Sequence, residues 1–327
     1  MNFAQYIKEI GRGRDGSRDL DFEDAMQLYG AMLDGGVPDL ELGAILLSLR
    51  LKTESVPELL GFHQALQSRV YPLLAPVGEA RPVVIPTYNG ARRQPNLLPL
   101  LALLLQRFGV PVLLHGTLEG HGRVASAYVL RELGVLPCAS LAQAQQALDA
   151  DKLAFVPTAV LSPGLATLLS LRSRLGVRSS AHVMAKLIDP FGGESLRVVS
   201  VSHPGYLEKL REFFAETGAN ALLLRSTEGE AFANPKRRPQ LELFREGRGQ
   251  VLFEAEAGAI KSLPALPEQH DAHTTAAWIK QALTGAAPLP LPLVNQLACC
   301  LYGAGYTQDL NQAKAIVAVE TGSLAAA

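Results

Sequence analysis

Cysteine is scarce in this 327-residue chain: there are three, Cys138, Cys299 and Cys300, two of them adjacent. An odd count with that spacing excludes a disulfide framework, offers no metal-binding pattern, and fits a reducing, cytoplasmic compartment. Long apolar runs are missing too. The densest, at 97–105, is about half the length of a membrane-spanning helix. The opening MNFAQYIKEIGRGR carries charge at Lys8 and Glu9 and lacks an apolar core, so it does not read as a signal peptide. Neither sign of charge is in excess. Thirty Lys and Arg against 31 Asp and Glu leave a net charge of −1, so any affinity for nucleic acid must come from uneven placement of charge. Internal repeats and low-complexity tails are absent. No G-x-S-x-G elbow is present, which removes a hydrolase triad from consideration. Gly11, Gly13 and Gly16 satisfy G-x-G-x-x-G, but a predicted helix precedes them where a dinucleotide loop needs a strand, so they read as a turn. His115 and His121 have no further ligand at metal-like spacing and read as loop or core residues.

What is present is the composition of a folded protein, 48% hydrophobic and 19% charged, with length for one large domain and a smaller companion. The first seventy or so residues read as helices. The first covers Phe3–Ile10; Asp21 caps a second through Gly30; Asp39 caps a third; Ser55 with Glu58 has capping-box spacing and opens a fourth, with Pro57 in its first turn. From Arg81 the pattern changes. Short apolar strands are predicted at 82–86, 110–115, 153–157, 196–201 and 221–225, alternating with helical stretches such as 97–108 and 124–133. That alternation implies a mostly parallel sheet covered on both faces. A hairpin is expected at 240–244 and 250–254, then a proline-rich linker at 286–292 before a final pair of helices. The expected architecture is a helical domain over 1–78, joined by helices from about 162–188, and an α/β domain over 79–327. Ligands of open parallel sheets sit beyond the carboxyl ends of the strands, which directs attention to loops 86–96, 115–123, 157–164, 202–205 and 226–238.

The segment PTYNGARRQPNLLPLLALLLQRFGVPVLLHG at 86–116 resembles the phosphoribosyl-diphosphate segment of the anthranilate phosphoribosyltransferases. Those enzymes carry a strand ending in Gly-Thr-Gly-Gly-Asp, an Asn-x-Ser-Thr helix start, and a second strand ending in Lys-His-Gly-Asn-Arg. Thr87, Asn96, His115 and Gly116 fall on the family's positions. Pro86, Tyr88, Asn89 and Gly90 depart from the glycine-aspartate run, Leu98 and Pro99 replace the Ser-Thr pair, and Leu114, Thr117 and Leu118 replace Lys, Asn and Arg. In RSTEGEAFANP at 225–235, Glu228 and Gly229 survive as a turn. Ala231 and Phe232 stand where the resemblance implies a magnesium-holding Asp-Glu pair, and Glu230 sits one residue early. The family's serine ligand aligns near His121 and Gly122. The resemblance extends to 34–65, to 171–190 and to the C-terminal helices. Arg172 and Arg178 match, and Arg178 aligns with an arginine that helps hold anthranilate in the enzymes; His182, Val183, Ala185 and Lys186 depart. Glycines admit backbone N–H groups to a pyrophosphate, so the losses predict a site without magnesium or any other cofactor. IPTYNGARRQPNL, LGVRSSAHVMAKL and SHPGYLEKL are similar to one branch, the YbiB-type group, whose members are regarded as sequence-independent nucleic-acid-binding dimers.

The charge pattern is compatible with that branch. Residues 86–116 hold Arg92, Arg93 and Arg107 and no acid, Arg123 follows the next loop, offset by Glu119, residues 152–188 hold Lys152, Arg172, Arg174, Arg178 and Lys186 and no acid, and Lys236, Arg237 and Arg238 form a run. Arginine's planar fork suits phosphate. The expectation is an acid-free rim around a stripped site: a non-catalytic protein that binds nucleic acid (single-stranded DNA first, RNA also) through Arg92, Arg93, Arg123, Arg174, Arg178, Lys186, Lys236, Arg237 and Arg238. It would be a homodimer through its N-terminal helices, without a membrane segment. Arg172 reads as structural. Tyr88 reads as a plug of the old phosphate pocket, with base stacking as its other role. The alternative is a phosphoribosyltransferase with another acceptor, which would need magnesium.

Overall fold

A computed structural model describes residues 1–13, 16–258 and 265–322. Arg14 and Asp15, part of the charged turn expected after the first helix, lie outside the described residues.

In chain order the elements are α1 (Phe3–Ile10), α2 (Phe22–Leu33), α3 (Asp39–Lys52), α4 (Val56–Gln67), β1 (Val83–Thr87), α5 (Leu98–Arg107), β2 (Val112–Gly116), α6 (Ser126–Glu132), α7 (Leu141–Asp151) and β3 (Leu153–Pro157). There follow α8 (Thr158–Leu161), α9 (Pro163–Ser170), α10 (Arg172–Leu175), α11 (Ala181–Met184), β4 (Leu196–Val201), α12 (Pro204–Thr217), β5 (Ala221–Arg225), β6 (Leu241–Arg245), β7 (Arg248–Phe253), α13 (Ala272–Leu283), α14 (Leu291–Gly303) and α15 (Leu310–Thr321). The chain divides into two compact units, one joining 1–72 to 158–190, the other joining 73–157 to 191–327. Among the described residues no helix is long and apolar enough to cross a membrane.

The first unit is all helix. The Asp21 side chain accepts from the Asp24 N–H at the start of α2, and Ser55 with Glu58 forms the full capping box of α4. Asp39 does not cap α3. Pro38 takes the cap position without a side-chain bond, and Asp39 is the first helical residue, where its carboxylate meets the positive end of the helix dipole. Tyr29 of α2 stacks on Phe62 of α4 at 4.6 Å, above a core that includes Ile45, Leu46, Leu49, Leu59 and Leu66. The two helices approach so closely that a Cβ on Gly61 would lie 2.5 Å from the Phe22 carbonyl oxygen.

The second unit is built on a seven-stranded sheet in the order β3-β2-β1-β4-β5-β6-β7. The first five strands are parallel; β6 and β7 form the antiparallel hairpin at one edge. β1, β2 and β4 are buried along their whole length, the consequence of helices on both faces. Strand ends shift from the expected positions by one or two residues because Pro82 and Pro111 have no N–H to give the ladder; the first bond of β1 runs from the Val83 N–H to the Pro111 carbonyl, 2.8 Å. One helix escapes the sequence reading: α13, capped by Asp271, precedes the proline-rich linker, so three helices close the chain. Strand order reverses between β1 and β4, so the carboxyl ends of β1, β2, β4 and β5 form the ligand-facing rim of this unit.

Candidate functional site

In the loop leaving β1, the backbone N–H groups of residues 89–93 all find acceptors. The N–H groups of Asn89 and Gly90 both donate to the Glu230 carboxylate oxygen Oε1, at 2.8 and 2.6 Å. The Ala91 N–H donates to the Val124 carbonyl, and the Ala91 carbonyl accepts from the Val124 N–H in return. Those of Arg92 and Arg93 donate to the Glu228 carboxylate, at 3.2 and 2.7 Å to Oε1. Five consecutive backbone donors are thus satisfied, four of them by two carboxylates from a turn some 140 residues away in sequence.

That turn is compact. Thr227 and Glu230 exchange backbone bonds, and the central pair Glu228 and Gly229 have φ of +54° and +101°, the sign pattern of a type I′ turn. Glycine is needed at 229 on two grounds, since a Cβ there would also lie 2.6 Å from the Asn89 side chain. The Asn89 amide closes the contact by donating to the Gly229 carbonyl at 2.8 Å. Arg123 joins from the far side: its Nη1 lies 3.4 Å from Glu228 Oε2 and 3.3 Å from the Glu228 carbonyl. The rim is therefore not acid-free, as its sequence alone suggested. Glu228 reaches the stretch that holds Arg92, Arg93 and Arg123, and Glu230 is completely buried beside it.

Behind the loop lies a second polar group. The Thr87 hydroxyl donates to the Ser126 hydroxyl at 2.7 Å, and the Asn96 amide donates to the same oxygen at 3.0 Å. Ser126, which the sequence reading did not single out, ties these two family positions together. Tyr88 is 5% exposed and its hydroxyl meets His115 Nδ1 at 2.6 Å. Base stacking by Tyr88 is accordingly ruled out in this conformation; the ring fills the interior. Burial pushes the His115 imidazole down to about 3. Gly116 ends β2 where nothing larger fits, since a Cβ would lie 1.7 Å from the Thr87 carbonyl oxygen. His121 sits in an exposed turn with φ of +47°. Ala231 and Phe232, at the positions of the family's acidic pair, are wholly buried.

Arg92 and Arg93 are exposed. Lys236 and Arg237 are exposed as well, with Arg237 Nε donating to the Glu256 carbonyl at 3.0 Å. Arg238 is held more tightly: it donates to the Glu254 carbonyl, pairs with Glu256, and lies 5.1 Å from the centre of the Phe253 ring. Arg107 and Lys152 do not belong to the rim. They precede β2 and β3, at the amino ends of the strands, and Arg107 donates to the Leu283 carbonyl.

The first unit holds a separate basic group. His182 is buried, and burial followed by the nearby charges of Arg172, Arg178 and Lys186 pushes its imidazole down to about 3. Its Nδ1 accepts from the Ser179 N–H at 3.3 Å. The charges of all three cations are therefore felt at one buried ring. Arg174 stands apart on α10, pairing loosely with Asp39 at 3.4 Å where both side chains are exposed.

Residues 4–70 match the helical bundle domain of the glycosyl transferase family. The chain is 46% identical over 319 residues to the uncharacterized protein YbiB of Escherichia coli, covering 97% of this chain and 99% of that one. It is 25% identical over 337 residues to an anthranilate phosphoribosyltransferase of Methanosphaerula palustris, covering 98% and 96%. Among solved structures, anthranilate phosphoribosyltransferase from Thermus thermophilus superposes with a TM-score of 0.76 at 23% identity, covering 99% of this chain and 95% of that one. The Saccharomyces cerevisiae enzyme, in complex with PRPP and Mg, does so with a TM-score of 0.72 at 13% identity, covering 98% and 93%. The chain belongs to the family of YbiB, and its fold is that of the anthranilate phosphoribosyltransferases.

Proposed function

We propose that this protein binds the phosphate backbone of nucleic acid, single-stranded DNA or RNA, and does not transfer phosphoribosyl groups. One observation carries the reading: the N–H groups of the β1 loop are taken up by Glu228 and Glu230, while the side chains of Arg92 and Arg93 on the same loop are exposed. The residues present do not fit a magnesium-bound diphosphate. Its acidic pair is replaced by Ala231 and Phe232, both buried, and the two neighbouring carboxylates are already bonded to backbone N–H groups. Exposed arginines on a preformed loop suit phosphate oxygens, with Lys236 and Arg237 as further contacts in the same unit; Arg178 and Lys186 are proposed as phosphate contacts of the first unit by itself. We also propose a cytoplasmic homodimer, paired through the N-terminal helices; Leu40, Leu47 and Leu51 of α3 are exposed, at 82%, 45% and 75%, and their spacing puts them on one face.

Fluorescence anisotropy with a labelled single-stranded oligonucleotide at low salt tests the reading. Binding is expected, and it should weaken about tenfold or more when Arg92→Glu and Arg93→Glu are combined. No binding at low salt would end the proposal.

The comparisons favour the other reading, phosphoribosyl transfer to an unidentified acceptor, because the Methanosphaerula palustris relative, matched over 96% of its length, is an anthranilate phosphoribosyltransferase. Thr87, Asn96, His115, Gly116, Arg172 and Arg178 stand at the family's positions in its support. Calorimetry with phosphoribosyl diphosphate and magnesium separates the two readings: metal-dependent binding would favour the enzyme, and its absence favours the nucleic-acid reading.

A further inference from the structure

We infer that the turn 227–230 is a built-in anion: Glu228 and Glu230 occupy the backbone nest of residues 89–93, fold it in advance of any ligand, and fix the direction in which Arg92 and Arg93 leave it. Consecutive N–H groups converging on one region attract anions, and such a loop is ordinarily ordered by the anion it binds. Here the anionic groups are two carboxylates of the same chain, one for residues 89 and 90 and one for residues 92 and 93.

The fit is built from both sides. Gly229 has no room for a side chain against Asn89, and a Cβ on Gly90, at φ of +67°, would lie 2.9 Å from the Val124 carbonyl oxygen. The Asn89 side chain donates to the Gly229 carbonyl. Glu230 is 0% exposed, and a buried carboxylate needs donors; the N–H groups of Asn89 and Gly90 both meet its Oε1. The remaining backbone donor, at Ala91, is held by Val124. Arg92 and Arg93 therefore project from a segment whose every backbone donor is bonded, and their side chains meet a ligand without first ordering the loop.

Charge and preorganisation predict opposite signs, which makes the inference testable. Removing two carboxylates beside three arginines raises the local positive charge, and by Coulomb attraction alone a polyanion would bind more tightly. If the carboxylates shape the loop, their removal weakens the polyanion and opens the nest to a small dianionic group. The double variant Glu228→Ala, Glu230→Ala is to be titrated with inorganic pyrophosphate by calorimetry and with a labelled single-stranded oligonucleotide by anisotropy. Its fold is to be checked by circular dichroism. Glu228→Ala alone, which frees the N–H groups of Arg92 and Arg93 and leaves the buried Glu230 in place, replaces it should the double variant not fold.

Pyrophosphate should bind the variant at least about tenfold more tightly than the wild type, since a nest closed in most molecules lowers apparent affinity by its open fraction. The oligonucleotide should bind the variant less tightly than the wild type. A folded variant that takes pyrophosphate no better than the wild type overturns the inference, as does a variant whose oligonucleotide affinity rises. The oligonucleotide arm rests on the proposed function; the pyrophosphate arm does not. A wild type that fails to bind oligonucleotide, beside a variant that takes pyrophosphate, would remove the function and leave the built-in anion standing.

Discussion

His115 and His182 are buried, and in each case the buried imidazole is pushed from 6.5 down to about 3. A histidine that resists protonation in the fold but accepts a proton when unfolded makes stability depend on pH. The unfolded group charges below about 6.5 and the folded one only near 3. Its contribution is therefore complete above pH 6.5 and is lost progressively as pH falls toward 3, at about 1.4 kcal/mol per pH unit for each histidine. Urea unfolding between pH 6 and pH 4 should show this slope, and His182→Asn should reduce it by one histidine's worth. An unchanged slope would mean that His182 takes up its proton inside the fold. Gly116 supports a second residue-level prediction. A Cβ there would meet the Thr87 carbonyl oxygen at 1.7 Å, and backbone cannot rotate aside as a side chain does. Gly116→Ala should cost about 3 kcal/mol or prevent folding, read as a fall in denaturation midpoint. Glycine at 116 was visible in the sequence as a shared family position; the steric reason for it was not, because the clashing atom belongs to a neighbouring strand.

At the scale of elements, Glu58 does more than cap a helix. It is completely buried, accepts the N–H groups of Leu20 and Ser55, and meets Lys52 Nζ at 2.7 Å. Lys52 is itself 5% exposed at its side chain and also bonds Asp19. Burial alone would lower the lysine, yet its bonds to Asp19 and Glu58 outweigh that and leave it raised. The pair thus joins α3, the N-terminus of α4 and the chain entering α2. Removing one member of a buried pair strands the other, so Glu58→Ala should destabilise by about 3–5 kcal/mol. Arg174→Ala breaks an ion pair whose side chains are 69% and 83% exposed, and should change stability by less than about 1 kcal/mol. Thermal unfolding of the two variants side by side checks the contrast. Comparable losses would mean that burial does not govern these pairs. The capping-box spacing of Ser55 and Glu58 was legible, being local; the partners at Leu20 and Lys52 were not. α13 was missed for a related reason. Its buried face carries Thr275, Ala276 and Ala282 beside Trp278 and Ile279, and small or polar residues give too faint a periodicity to mark a helix.

At the scale of the whole molecule, the sheet was legible because fully buried parallel strands are continuous apolar runs, and five of them alternate with helices. The filled loop was not. Its residues were in plain view, and Glu230 was noted as displaced from a metal-ligand position, but its partners are backbone N–H groups of residues 89 and 90, which every residue except proline possesses and no pattern distinguishes. The same limit applied to charge: the stretch 86–116 contains no acid, yet one arrives from 228. Because the net charge of the chain is −1, whatever attraction it has for a polyanion must be local, and its salt dependence counts the local contacts. The slope of log affinity against log salt changes by about 0.7 for each single-strand phosphate neutralised. If Arg92 and Arg93 each neutralise one, Arg92→Ala with Arg93→Ala should make the slope shallower by about 1.4. Arg107→Ala, at the opposite ends of the strands, should leave it unchanged. Anisotropy titrations across a range of salt concentrations measure both. A slope that responds to Arg107 and not to the pair would move the binding surface to the amino ends of the strands, away from the loop that Glu228 and Glu230 hold.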